Sequence, residues 1–200
     1  MINILIRTSN RPIFFADCIK SIRSQTYRDI NIIVGNDAND CYCKPFNPIK
    51  LEKIAKIDHK IDSARFFPYN SYLNVMLKYC KPGYVLILDD DDMLTDSGSL
   101  QKIWDVHNED KTVFWKVKVG NRVVPRKENF QKVVNRDLSM IGMAFSTHWI
   151  PLLWFAPYKQ ADYRLAWLLT GLCDSIWIDE VLTNTQRSEG DGMGLRKDKR

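Results

Sequence analysis

Apolar residues recur along the chain in two periods, and the switches between those periods divide it into elements. Ile2 to Ile6 is an apolar run of strand length. A polar loop, Arg7-Thr8-Ser9-Asn10-Arg11-Pro12, follows and ends in a proline suited to the first turn of a helix. Phe14, Phe15, Cys18, Ile19 and Ile22 then fall at helical spacing, which predicts a helix to about Gln25. Ile30 to Val34 reads as a second strand, closed by the polar cluster Gly35-Asn36-Asp37-Ala38-Asn39-Asp40. Strand, helix, strand is a βαβ unit with parallel strands and a right-handed crossover.

Beyond it the pattern weakens and then recovers. Pro45 and Pro48 mark a loop, and LEKIAKI (51–57) suits a short helix or an edge strand. Asn70 to Cys80 carries Leu73, Met76, Leu77 and Cys80 at helical spacing. Tyr84 to Leu94, YVLILDDDDML, opens with an apolar run through Leu88 that reads as a buried central strand set off by Pro82-Gly83. Ser97 is placed to cap a further helix to about Asn108, with Leu100, Ile103, Trp104 and His107 on one face. Thr112 to Val119 alternates and turns at Gly120-Asn121 into Arg122 to Val124 as a hairpin. Pro125 to Asp137 is charged and reads as a flexible connection, and Met140 to Ser146 as a strand. Trp149 to Phe155 is a bulky apolar patch. Asp162 to Leu172 is helical, with Leu165, Leu168, Leu169 and Leu172 inward. Ser175 to Ile178 and Glu180 to Thr185 look like strand ends, and the charged, Gly-rich tail from Arg187 is predicted mobile. This alternation predicts an α/β fold with a mostly parallel central sheet and a small antiparallel portion.

The strand 84–88 ends in four consecutive carboxylates, Asp89, Asp90, Asp91 and Asp92. Like charges a few ångströms apart raise one another's pKa and destabilise the fold unless a cation neutralises them. All-oxygen ligands favour Mg²⁺ or Mn²⁺, and open α/β sheets bind ligands beyond the carboxyl ends of their strands. The stretch therefore predicts a divalent cation that carries a phosphorylated substrate. The alternative is a solvated acidic turn leading to a helix cap, since Thr95-Asp96-Ser97-Gly98-Ser99 is good cap chemistry. An EF-hand loop does not fit, because its third ligand would fall on Met93 and its glycine on Leu94.

Composition narrows the field. Two hundred residues with 45% apolar content suit one domain with a sizeable core. The net charge of +5 suits an anionic ligand or surface, and no basic helix or arginine-rich run points to nucleic acid. Five cysteines without a CxxC pair predict free thiols in a reducing, cytoplasmic setting. Three scattered histidines argue against a zinc cage. No signal peptide is read at the N-terminus, and no stretch is long and apolar enough for a transmembrane segment.

Several of these pieces together resemble the GT-A glycosyltransferases, especially the family-2-like group. ILIRTSNRPIFFADCIKSIRSQTYRDINIIVGNDAND is similar to that family's opening strand, polar loop, helix and second strand. YVLILDDDDML is similar to its DxD strand, ADYRLAWLL to a later acidic helix start, and VLTNTQR to a closing strand. The match is good over residues 1 to 106, the nucleotide-sugar half, and looser over 140 to 190 within the acceptor-side half, 107 to 200. The resemblance implies one GT-A domain, possibly part of a longer protein. It would use a UDP-sugar donor with Mn²⁺ or Mg²⁺ and a glycan or glycoprotein acceptor.

The resemblance also implies roles. Thr8, Asn10 and Arg11 would meet the nucleotide, and Asp37 its base, with Asn36 in place of a preceding acid. Asp89 would lie near the ribose, with Asp90 beside it, and Asp91 would hold the metal, with Asp92 as an extra ligand. Asp162 would be the catalytic base, although the preceding Glu of the family is Ala161 here. Arg187 would meet the diphosphate, and Asp191 is a candidate metal ligand where the family's histidine is absent. Each has a plainer reading: Asp162 as a helix N-cap, Asp37 as a turn residue, Arg11 and Arg187 as surface charges. Trp149, Trp154, Trp167 and Trp177 read mostly as core, with one or two free to line an acceptor sugar site, and His148 as structural or exposed.

The chemistry follows from general principles. A divalent cation stabilises the charge on a departing nucleoside diphosphate, and a carboxylate base activating the acceptor hydroxyl contributes about 10²–10⁴-fold. An inverting outcome follows if Asp162 is that base. A haloacid-dehalogenase-like phosphohydrolase is disfavoured by Met93 and by the late position of the acidic strand. A nucleotide-sugar-binding module without turnover is the remaining alternative.

Overall fold

The computed structural model describes residues 1–38, 41–51 and 67–186. The LEKIAKI segment beyond Leu51, the tail from Arg187, and Asn39 and Asp40 lie outside the described residues. Among the described residues, nine strands form one sheet. They are β1 (Ile2–Thr8), β2 (Ile30–Asn36), β3 (Ile49–Lys50), β4 (Tyr84–Ile87), β5 (Asp92–Leu94), β6 (Lys111–Val119), β7 (Arg122–Val124), β8 (Met143–Ser146) and β9 (Asp174–Thr185). The helices are α1 (Pro12–Arg23), α2 (Tyr72–Met76), α3 (Ser99–Asp105) and α4 (Ala161–Leu172).

The sheet runs β3-β2-β1-β4-β8-β6-β9-β5, with β7 paired to β6. The half from β3 to β4 is parallel throughout, and antiparallel pairing begins where β8 joins β4. The sheet is thus the mixed α/β arrangement that the βαβ pattern predicts. The chain leaves β1 for β2 on one side and returns to β4 on the other. The crevice beyond the carboxyl ends of β1 and β4 is a topological switch point, the place where open sheets bind ligands.

Side-chain parity decides what reaches each face. Ile2, Ile4 and Ile6 of β1 and Leu86 of β4 join Phe15, Ile19 and Ile22 of α1 and Leu100 and Ile103 of α3 in one buried cluster. Leu5, Val85 and Ile87 point the other way, against Leu73 and Met76 of α2 and Leu165 and Leu169 of α4. Gly35, near the end of β2, sits so close to α2 that a Cβ there would lie 2.7 Å from Met76 Sδ and 2.8 Å from Leu51 Cδ1. Any larger residue would force the Met76 and Leu51 side chains to shift.

Several predicted boundaries shift. The helix predicted over 70–80 is three short pieces, the 3₁₀ turns Pro68–Ser71 and Leu77–Tyr79 flanking α2. The predicted cap Ser97 is replaced by Gly98, whose N–H donates to Asp96 Oδ1 at 2.8 Å. Of the face predicted on that helix, Leu100 and Ile103 are buried, while His107 stacks on Trp104 just past the helix end. The two predicted strand ends at the C-terminal side are one strand, β9, whose pairing with β6 shifts register around Lys116. The predicted flexible connection 125–137 is folded instead. Asp137 is buried and accepts from Arg126 N at 3.0 Å and Asn129 Nδ2 at 2.6 Å. The predicted strand 140–146 narrows to β8.

The tryptophans depart furthest from prediction. Trp154 is 75% exposed and Trp167 65%, while Trp149 and Trp177 are half-buried. The fully buried tryptophan is Trp115, whose indole N–H finds the Thr183 hydroxyl at 2.9 Å. Burial of an indole is cheap only when that donor has a partner. Leu165 and Leu169 of α4 face inward as predicted, whereas Leu168 and Leu172 are half-buried. The five cysteines are free thiols, as their spacing predicts. No helix among the described residues is long and apolar enough to cross a membrane.

Candidate active site

The acids after β4 are buried, not splayed into solvent, so the solvated-turn reading fails: Asp89, Asp90, Asp91 and Asp92 are each 8% exposed or less. Two arginines from the β1 end supply part of the neutralising charge, which the prediction did not foresee, so a divalent ion is not the sole means of tolerating the cluster.

The parallel register explains the pairing. Leu5 lies opposite Ile87, and the ladder continues through Leu88 N to Leu5 O at 3.0 Å and Asp90 N to Arg7 O at 3.2 Å. Residues of like parity therefore meet. Arg7, on the Leu5 side, makes a two-pronged pair with Asp89, Nε to Oδ1 at 2.7 Å and Nη2 to Oδ2 at 2.6 Å. Its Nη1 donates to Tyr69 O at 3.1 Å and Asn70 Oδ1 at 3.3 Å. Thr8, on the Ile6 side, donates its hydroxyl to Asp90 Oδ2 at 2.7 Å and touches Tyr42 Oη at 2.8 Å.

Arg11 spans two acids. Its Nε donates to Asp90 Oδ2 at 3.1 Å, its Nη2 pairs with Asp90 Oδ1, and its Nη1 donates to Asp91 Oδ2 at 2.8 Å. Planar guanidinium matches carboxylate in this way, and such charge-assisted bonds are the strong ones. Two guanidiniums still leave two of the four carboxylates uncompensated by them. Burial pushes the Asp90 carboxyl up to about 7, against the pull of Arg11 and the Thr8 hydroxyl and with repulsion from Asp91 and Asp89. For Arg7, burial opposes the charged form, but the Asp89 carboxylate outweighs it and the guanidinium is held more firmly protonated. The closing strand completes the wall: Gln186, just past β9, donates its backbone N–H to Asp91 O at 2.7 Å and its side chain to Asp90 O at 3.3 Å.

The other predicted residues lie around this cluster. Asn10 is exposed beside Arg11, with a left-handed φ of 53°. Asp37, past the end of β2, accepts from Tyr72 Oη at 3.0 Å through Oδ2, while its buried Oδ1 has no hydrogen-bond partner among the described residues. Asp37 therefore does more than form a turn: it ties β2 to α2. Asp162 is not the N-cap of α4. That position is Gln160, and Asp162 sits within the first helical turn, its Oδ1 accepting from Tyr163 N at 2.8 Å. A carboxylate there is favoured by the helix dipole. Burial nevertheless raises its pKa, against the pull of those backbone N–H groups and of Arg164. Asp162 is linked to the acids indirectly. Asn70, which contacts Arg7, donates to Tyr158 O at 2.7 Å, and the 158–160 turn leads into α4. His148 is exposed, as predicted. Arg187 and Asp191 lie outside the described residues.

Sequence reasoning missed four participants: Arg7, Tyr42, Asn70 and Gln186. Arg7 carried a signal, since its parity in β1 places it level with Asp89 once the strands are taken as parallel neighbours. Tyr42, Asn70 and Gln186 sit in or beside irregular segments and carried none.

Comparison with known proteins places this edge in context. The model of the family described as Glycosyl transferase family 2 matches residues 3–177. A comparison with curated protein sequences finds no match. Among solved structures, S. aureus TarS 1-349 in complex with UDP-GlcNAc is similar with a TM-score of 0.73 and 18% identity, over 95% of this chain and 59% of that one. TarS 1-349 alone gives 0.71 and 16%, over 92% and 60%. The mannosyltransferase PcManGT from Pyrobaculum calidifontis, in complex with GDP-Man and Mn²⁺, gives 0.65 and 14%, over 95% and 58%. The chain thus spans about three fifths of these relatives, whose likeness is one of fold. The matched span runs from β1 into β9 and contains all four acids with both arginines, and the chain belongs to glycosyl transferase family 2, with the GT-A fold.

Proposed function

We propose that the chain is the donor-binding and catalytic domain of a divalent-cation-dependent glycosyltransferase. It transfers a sugar from a UDP-sugar to a hydroxyl of a glycan or glycoprotein acceptor, with inversion. The observation that carries this reading is the buried, arginine-braced carboxylate cluster at the carboxyl ends of parallel strands β1 and β4. The structural relatives in complex with UDP-GlcNAc, and with GDP-Man and Mn²⁺, support a nucleotide-sugar donor and a metal.

The donor set suits the cation. Among the described residues no three His, Cys, Asp or Glu side chains form a metal cage. Mg²⁺ and Mn²⁺ sites of the phosphate-carrying kind need none, because one or two carboxylates and the substrate's own phosphate oxygens complete the shell. Asp91 would hold the ion, with Asp92 as a second carboxylate and Asp191 as a candidate from the tail. The ion would supply charge stabilisation for the departing diphosphate.

The remaining work falls to the chain's own groups. Thr8, Asn10 and Arg11 would face the nucleotide from the β1 loop, Asp37 the base, and Asp89 and Asp90 the ribose side, with Arg187 at the diphosphate. Asp162 would take the proton from the acceptor hydroxyl. Its pKa, raised by partial burial, makes it a better base than a solvated aspartate, since basicity rises with pKa. On the acceptor side, an apolar groove of about 330 Å³ opens beside α4, lined by Trp154, Ala161, Arg164, Leu165 and Trp167 among others. Exposed indole faces there suit the apolar faces of sugar rings.

Thermal melting with UDP, in the presence and absence of Mn²⁺, tests the reading. Stabilisation that requires both ligands, and that disappears in Asp91→Ala, supports it. UDP that leaves the melting curve unmoved with metal present refutes it. A second reading, a binding module without turnover, draws on Ala161 standing where the family's acid would be. It predicts the same stabilisation with no transfer or hydrolysis of any UDP-sugar.

A further inference from the structure

Arg11 differs from Arg7 in how it is held. Arg7 is locked by the two-pronged pair with Asp89 and by two further acceptors on the 69–70 turn. Arg11 stands at the open end of the site, on the residue that precedes α1, and its side chain bonds to Asp90 and Asp91. Its side chain is 18% exposed over carboxylates that are 0% and 1% exposed. The guanidinium therefore lies between the acid cluster and solvent, bonded to Asp91 through its Oδ2.

We infer that Arg11 is an internal counter-cation that closes the carboxylate cluster until a diphosphate arrives. The inference rests on the donor-site reading above and adds an order of events to it. A divalent ion approaching alone meets an Asp91 already paired with Arg11, and no three-ligand cage stands among the described residues to outbid it. A nucleoside diphosphate supplies both missing parts. Its oxygens complete the ion's shell, and they give the displaced guanidinium a new anionic partner, for which Arg is well shaped. Metal and nucleotide then bind with positive coupling, and each raises the other's affinity by the same factor. Arg11 is in this sense a positioning residue that exchanges one anion for another. It also prevents the empty site from collecting stray cations.

The test is uptake of Mn²⁺ by the full chain, read from loss of the free-ion paramagnetic resonance signal, with and without UDP. Two variants are compared with wild type: Arg11→Lys, which keeps the charge but loses the fork that spans both acids, and Arg11→Gln. Wild type should take up Mn²⁺ weakly alone and far more tightly with UDP. Both variants should take up Mn²⁺ alone about tenfold more tightly than wild type, as expected when one charge-assisted contact no longer competes. Their gain from UDP should shrink by a similar factor. Arg11→Lys retains the positive charge, so a gain in that variant reports the lost bridge rather than a change in net charge. Variants that bind Mn²⁺ alone no better than wild type, while UDP still promotes uptake in wild type, overturn the inference and leave the donor site standing. Wild type that takes up no Mn²⁺ even with UDP removes the donor-site reading and this inference with it. If Arg11→Gln does not fold, Arg11→Lys decides the matter.

Discussion

The carboxyl edge of β1 and β4 and the face around α4 are built on opposite principles. At the first, four acids and Arg7 are buried with Arg11 half-buried over them, and strand register places Arg7 against Asp89 and Thr8 against Asp90. At the second, Trp154, Trp167, Leu152 and Tyr158 lie largely exposed on irregular chain and helix surface. The buried edge is specified by backbone pairing, because a parallel ladder with side-chain period two leaves each residue one partner. The exposed face has no such pairing to fix it. On the proposed reading, the donor site is fixed by the sheet, and acceptor choice is left to surfaces the sheet does not constrain.

Asp162 is the proposed base of the transfer step, so its loss should have the largest effect. In Asp162→Asn the turnover for transfer should fall by about 10²–10⁴-fold, the worth of a general base. Nucleotide binding should persist, since the donor edge is untouched. The carboxamide oxygen can still accept from Tyr163 N, so the helix start survives. Because burial raises the folded-state pKa of Asp162 above its unfolded value, the wild type favours the protonated carboxyl. That favourable contribution is complete below about pH 4, the unfolded value, and is lost as pH rises through the raised one. The variant should therefore gain melting temperature relative to wild type as pH climbs from 4 to 7. Equal loss of nucleotide binding and transfer would instead place Asp162 in the donor edge and erase the division between the regions.

The next largest effect belongs to the buried edge. Arg7→Ala strands Asp89 without its guanidinium and should cost about 3–5 kcal/mol of stability, the scale of a broken buried ion pair. The double change Arg7→Met with Asp89→Leu should recover most of that loss in denaturant unfolding, while UDP binding stays absent. Recovery of the fold without recovery of binding would separate what the pair does for the sheet from what Asp89 does for the ligand. A single Arg7→Ala that melts like wild type would mean that the edge is far more plastic than its burial implies.

This contrast also explains what was legible in the sequence. Ile2 to Ile6, the helix after Pro12 and the run before Asp89 each carried a clean period, and with them came the parallel half of the sheet and the shared edge of Thr8, Asp37 and the four acids. The counter-charges were less visible. A like-charge run signals that something must neutralise it without saying what, and Arg7 was legible only by aligning strand parity with Asp89, 82 positions further along the chain. The helix over 70–80 broke into three because apolar spacing of three and four does not distinguish an α-helix from linked 3₁₀ turns. The four tryptophans were read mostly as core, with one or two free for an acceptor site, because the pattern does not mark which of them, here Trp154 and Trp167, stand at the surface.

The smallest effect tests the exposed face. Trp154→Ala and Trp167→Ala remove side chains that the fold barely buries, so each should alter stability by no more than about 0.5 kcal/mol. If the groove beside α4 receives the acceptor, the same changes should raise the acceptor KM by about five- to thirtyfold, the 1–2 kcal/mol expected of an aromatic anchor, with the donor KM unchanged. The two tryptophans line the same groove, and the double variant should lose less than the sum if one sugar ring contacts both. Strict additivity would mean that they serve separate contacts. An acceptor KM indifferent to both would move the acceptor to another face of the domain and leave this apolar surface to a role outside catalysis.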